Sequence, residues 1–211
     1  MSHFFYKVND KEYPVRIIHK PIKNIHYRYV DGEFVVSCST FVSQKNILKG
    51  LDRYALYLLK RNDKTPPIGE DYIYLYGQKM PLSYPGVIKF SNGEEIRFQN
   101  KEELLKILKK SYLGFIKERV KYYSSLMSVP EYKVSVRDMK TRYGSNSKKT
   151  KSLHFATSLM HYDTSIIDSV VVHELAHILV YNHSSQFYEV VYKYSPNYDM
   201  LRKKLIRGEF Q

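Results

Sequence analysis

Residues Val171–His183 read VVHELAHILVYNH, three histidines and one glutamate inside an otherwise apolar run. Val170, Val171, Val172, Leu175, Ile178, Leu179 and Val180 nearly surround a helix drawn through this stretch, so it is expected to be buried on most sides. Ionisable groups there are costly unless something satisfies them. His173 and His177 are four residues apart. On a helix that is about 40° of rotation and about 6 Å of rise, so both imidazoles face one side of one groove. Two ligands of a tetrahedral zinc have this arrangement. Glu174 is turned about 100° from His173. It flanks the metal rather than binding it, where a general base for metal-bound water belongs.

Spacing alone leaves the third ligand open. His183 follows Asn182, a residue able to end the helix in the left-handed conformation and send the chain back toward the metal. Glu189, on the next expected helix, competes with it. His154 and His161, in an apparent strand and a loop, rank below both.

Working outward, DTSIIDSVVVHELAHILVYN (163–182) reads as one helix, with Ser165 and Asp168 as an approximate capping box. SSQFYEVVYKY and YDMLRKKLIRG read as two more, separated at Pro196. Upstream, YKVSVRDM and KSLHFATSL are strand-like and bracket a polar loop, KTRYGSNSKKT (140–150). The stripe Leu104, Leu105, Leu108, Tyr112, Phe115, Ile116, Val120 and Tyr123 predicts a long amphipathic helix from Lys101, with Pro130 closing the region. Before it the texture is β-rich. EYPVRIIHK and NIHYRYVDGEFVVSCS suggest strands, with a hairpin turn at Asp31-Gly32. A helix follows over residues 43–62, with Ser43 as its N-cap, and then short strands with turns at GQ, YPG and SNGE. The fold class is therefore α+β. A β-rich N-terminal region with one helix covers 1–98, and a helical catalytic part covers 99–211.

Composition narrows the function classes. With 211 residues and 43% hydrophobic content a packed core is expected and wholesale disorder is not. No apolar run approaches the roughly 20 residues that span a bilayer. The N-terminus lacks a basic-then-apolar signal pattern, so the expected location is cytoplasmic, with no membrane partner. Cys38 is the only cysteine, which excludes a disulfide within the chain and a cysteine-based zinc site. It is read as a small apolar filler in a strand. The net charge of +13, from 34 Lys+Arg against 21 Asp+Glu, is compatible with an anionic partner such as nucleic acid or a nucleotide. The charge is dispersed, which equally suits plain solubility. No pattern reads out an oligomeric state.

RDMKTRYGS followed by DSVVVHELAHILVYNHSSQF resembles the YgjP-like metal-dependent hydrolases, relatives of SprT-type and WLM-type metallopeptidases. The likeness is strong from about Lys133 to Tyr198 and weaker but in order over the N-terminal half. It implies a minimal zincin-like core with zinc on His173, His177 and His183 and Glu174 as general base. It favours His183 over Glu189. Arg137 and Arg142 match the family's arginines, as candidates for holding an anionic substrate group or an oxyanion. Tyr143 stands where the family has tryptophan and Asn146 where it has cysteine. Tyr143 is a further candidate for contacting substrate.

The resulting expectation is a zinc metallopeptidase acting on a peptide or protein. Two other readings use the same residues. One is a metal-dependent nucleotide phosphohydrolase that receives phosphate on the basic 140–150 loop. The other is a nucleic-acid-associated module with a structural zinc, against which stands the lack of an obvious fourth histidine or cysteine ligand.

Overall fold

A computed structural model describes residues 3–62, 65–90 and 92–211. The chain divides into two compact units, Met1–Thr65 and Pro66–Gln211. In the first, strands β1 (His3–Val8), β2 (Lys11–His19), β3 (His26–Val30) and β4 (Glu33–Cys38) precede helix α1 (Gln44–Asn62). The sheet order is β1-β2-β4-β3. Both hairpins turn through left-handed residues, Asn9 in one and Asp31-Gly32 in the other, the latter as the sequence predicts. The hairpins join through a parallel β2/β4 pairing, which local sequence does not encode. Val15, Ile17, Phe34, Val36 and Cys38 face Ile47, Leu51 and Ala55 of α1 in one core. Ser43 starts α1 through its carbonyl, which accepts from Asn46 and Ile47. Cys38 is fully buried, with His19 Nδ1 3.9 Å from its Sγ. Burial pushes its thiol pKa up, so it stays protonated.

The second unit begins with two hairpins. They pair β5 (Tyr72–Leu75) with β6 (Gln78–Pro81) and β7 (Gly86–Lys89) with β8 (Glu95–Phe98). The first turns at Tyr76-Gly77, one residue before the GQ expected from sequence. Helix α2 (Lys101–Leu126) follows. Asn100 Oδ1 accepts from the Glu103 amide, and Glu103 Oε2 accepts from the Gln99 amide, a reciprocal cap. Ile73, Leu75, Ile88 and Phe98 of the hairpins share one core with Leu104, Leu108 and Tyr112 of α2 and Val171 and Leu175 further on. The composition shift near residues 98–101 falls inside the second unit, and the chain divides between Thr65 and Pro66.

Strands β9 (Lys133–Arg137), β10 (Gly144–Ser147) and β11 (Ser152–Ala156) form a sheet in the order β10-β11-β9, with β9/β11 parallel and β10/β11 antiparallel. The segment read as a loop thus holds a strand, GSNS. It has no apolar alternation, and its pairing to β11 and packing on the next helix make it a strand. After β11 comes a 3-10 turn, Thr157–His161, where the sequence suggested continued strand and loop.

Helix α3 (Thr164–Leu179) carries the opening motif. It packs against α2, β10, α4 (Ser185–Tyr194) and α5 (Tyr198–Arg207), the central placement its nearly all-apolar surface requires. Two sequence expectations are corrected here. Asp163, not Ser165, caps the helix, its carboxylate accepting from the Ser165 amide at 2.8 Å. Asp168 instead receives Arg119 Nε and Nη2 at 2.7 and 2.6 Å and the Tyr123 hydroxyl at 3.2 Å, tying α2 to α3. The helix also stops at Leu179 rather than Asn182. Val180 is already extended (φ −131°, ψ 110°), and Asn182 is not left-handed. A β-branched residue at 180 leaves the helical region at little cost. Among the described residues no helix is long and apolar enough to cross a membrane.

Candidate metal centre

Because α3 ends early, the short connection to α4 folds back over its last turn. This brings His183 beside His173 and His177. Ring centroids lie 4.9 Å apart for His173–His177, 5.1 Å for His173–His183 and 4.7 Å for His177–His183. One ring nitrogen from each lies within 4.8 Å of the others, and His173 Nε2 is 3.2 Å from His183 Nε2. Phe187 of α4, fully buried, packs against all three rings.

The donor set fits a divalent cation. Metal-ligating imidazole must be neutral with a free lone pair. Burial, reinforced by His177, His183 and Arg202, pulls the His173 pKa down to about 3. Burial and then His183 lower that of His177. The Tyr198 hydroxyl of α5 lies 2.8 Å from His173 Nδ1. With Nδ1–H donating to that oxygen, Nε2 keeps its lone pair toward the other two histidines. Tyr198→Phe is expected to weaken zinc binding about 10–100-fold without unfolding the protein, read by chelator competition. Unchanged affinity would dismiss the orienting role.

Glu174 follows on α3 and is only 5% exposed. Burial raises its carboxyl pKa to about 8, with Arg142 opposing the rise. β10 braces it twice. Asn146 Nδ2 donates to the Glu174 main-chain carbonyl at 2.8 Å and so holds the backbone of the candidate base. Gly144 lies so close that an added Cβ would be 2.5 Å from Glu174 Oε1 and 2.7 Å from Cγ. Only glycine leaves room for the carboxyl there. Gly144→Ala is expected to displace Glu174, lower stability by about 1–3 kcal/mol and reduce turnover while metal stays bound. Thermal unfolding, peptide cleavage and metal content measured together would check this.

A cavity of about 370 Å³ opens beside the histidines. Arg142, Tyr143, Glu174, Tyr198 and Arg202 line it, over an apolar floor that includes Val170 and Leu205. Tyr143 is half-buried there. Its hydroxyl lies 3.1 Å from that of Tyr162 and 3.4 Å from the Leu205 carbonyl. Arg137 is not among the lining residues. It ends β9, where its charge helps depress the pKa of His154 after burial has done most of the work. The remaining candidates lie apart from the triad. Glu189 is exposed on α4. His154 engages Ser135 Oγ at 2.7 Å, and buried His161 engages the Tyr74 carbonyl at 2.7 Å. Tyr198 and Arg202 escaped the sequence reading. Their signal is a four-residue spacing on α5, legible only once α5 is known to pack on α3.

No curated protein matches the chain. Solved structures similar to part of it include two metallopeptidase zymogens. The metallopeptidase zymogen of Pyrococcus abyssi abylysin is 19% identical, with a TM-score of 0.41, over 43% of this chain and 91% of its own. The metallopeptidase zymogen of Methanocaldococcus jannaschii jannalysin is 23% identical, with a TM-score of 0.41, over 44% of this chain and 94% of its own. The family model that describes a YgjP-like metallopeptidase domain matches residues 23–207, nearly the whole of the second unit and much of the first. The chain belongs to the YgjP-like metallopeptidases and is a metal-dependent peptidase of that family.

Proposed function

We propose that the protein is a zinc peptidase in which His173, His177 and His183 hold the ion and Glu174 is the general base. The observation that carries this reading is the convergence of three imidazole nitrogens within 4.8 Å, beside a buried carboxyl that lines the same cavity. Held by His173, His177 and His183, a zinc ion would supply Lewis acidity, making a nearby water more acidic and a substrate carbonyl more electrophilic. Glu174 takes the proton from the attacking water and returns it to the leaving amine. Asn146 fixes its main chain, and Gly144 leaves room for its carboxyl beside β10. Arg142 adds positive charge to the wall of the same cavity. Tyr143 and Tyr198 form the walls.

A structural-zinc reading would require a closed fourth position. Among the described residues, the three histidines have no fourth ligand grouped with them. The test is metal content by elemental analysis, paired with cleavage of a mixed peptide library before and after chelation. About one zinc per chain and chelator-sensitive cleavage are expected. Cleavage that survives complete metal removal would end the proposal, as would hydrolysis of nucleotides with none of peptides.

A further inference from the structure

Two arginines face the cavity from opposite elements. Arg142 comes from the segment leading into β10, and Arg202 from α5, one helical turn after Tyr198. Neither has an ion-pair partner among the described residues. Three other guanidinium groups of the second unit are matched, Arg97 with Glu95, Arg119 with Asp168 and Arg207 with Glu209, whereas Arg137, away from the cavity, shares the lack of an ion pair among the described residues. The one carboxyl in the cavity wall, Glu174, is buried, whereas both arginines are exposed. The charge of Arg142 reaches Glu174, and that of Arg202 reaches His173 and Tyr198, so both stand within electrostatic range of the reacting centre. Val170, Leu205 and Ile206 add apolar surface to a wall that is otherwise largely polar. A volume of about 370 Å³ is at the small end of ligand sites, suited to one or two residues rather than a long segment.

We propose that Arg202, with Arg142 opposite, binds a carboxylate of the peptide substrate next to the scissile bond, so that the enzyme prefers peptides with an anionic group at that point. This rests on the peptidase reading above. Planar guanidinium groups pair with carboxylates through two parallel hydrogen bonds, a geometry that favours arginine over lysine for this role. The carboxylate comes either from an aspartate or glutamate side chain or from the substrate's own C-terminus. A small cavity accepts both.

Three peptides of one apolar core sequence separate these sources. One is neutral and C-terminally amidated, one carries an added glutamate and is amidated, and one is neutral with a free C-terminus. With the zinc-loaded full chain, kcat/KM for at least one carboxylate peptide is expected to exceed that for the neutral amide by about tenfold or more, mostly through KM. The preference should shrink with added salt and fall toward one in Arg202→Gln, with Arg202→Lys restoring part of it. Equal kcat/KM for all three peptides in the wild type overturns the proposal, as does a preference that Arg202→Gln leaves intact. If the wild type cleaves none of them, the peptidase reading fails separately, and binding to zinc-loaded Glu174→Gln decides the carboxylate site. Tighter binding of a carboxylate peptide than of the amide supports it. Equal binding overturns it, as does a nucleoside triphosphate that binds more tightly than any of the peptides.

Discussion

Glu174→Gln is expected to keep its metal and to lose peptide turnover by about 10²–10⁴-fold, the usual range for a general base. The substitution preserves shape and leaves the three histidines untouched, but an amide cannot accept the proton from water. Metal content by elemental analysis and kcat on a cleavable peptide read the two halves separately. Turnover near wild type would remove Glu174 from the mechanism, whereas loss of metal would make it a structural support.

The metal-free protein provides an independent check through pH. Burial raises the Glu174 carboxyl to about 8, above the ordinary carboxylate value, with Arg142 offsetting part of the rise. Between the ordinary carboxylate range and about pH 8 the folded state therefore holds a proton that the unfolded chain has released. Stability must fall as pH rises through that window. Glu174→Gln has no such proton, so its melting temperature, measured after chelation, is expected to gain on the wild type as pH is raised from 5 toward about 8. Parallel melting curves would show that the carboxyl ionises freely. With a cation nearby, the ion's own charge favours the carboxylate and the difference should shrink.

The second large effect concerns the histidines. A His173→Ala, His177→Ala double variant is expected to bind no zinc where the wild type binds about one ion per chain, because a lone His183 cannot hold the ion. Binding to the folded state alone stabilises it by about 2.7 kcal/mol when free metal is at 100 times its dissociation constant. Added zinc should therefore raise the wild-type melting temperature and leave that of the variant unmoved. Full metal content in the variant would place the ion elsewhere. A wild type that takes up neither zinc nor any other divalent ion would empty the motif of its proposed role.

How much of this was legible before folding differs from residue to residue, for physical reasons. His173, Glu174 and His177 lie within a single turn and a half of one helix, so their mutual placement follows from helix geometry. The turn at Asp31-Gly32 and the long helix from Lys101 are likewise short-range, set by backbone conformation and apolar spacing. His183 was harder. Its place depends on where α3 stops, and the early stop at Leu179 is a competition between Val180 and the helix that spacing does not resolve. Local spacing leaves His183 and Glu189 equally open, and only the fold brings His183 beside the other two histidines.

Other features arise from contacts between segments far apart in the chain. The strand GSNS has no apolar alternation and exists because β11 and α3 lie on either side of it. Through it Gly144 and Asn146 reach Glu174, about thirty residues later in the chain. Tyr198 and Arg202 enter the cavity because α5 packs on α3, and nothing in their own neighbourhood marks them. The same holds for Asp168, read locally as part of a cap but drawn to Arg119 on another helix by a stronger bidentate pair. The placement of the proposed base and of two of the proposed ligands is thus a short-range property of one helix. The surroundings that tune and orient them depend on burial and on hydrogen bonds that exist only after distant segments meet.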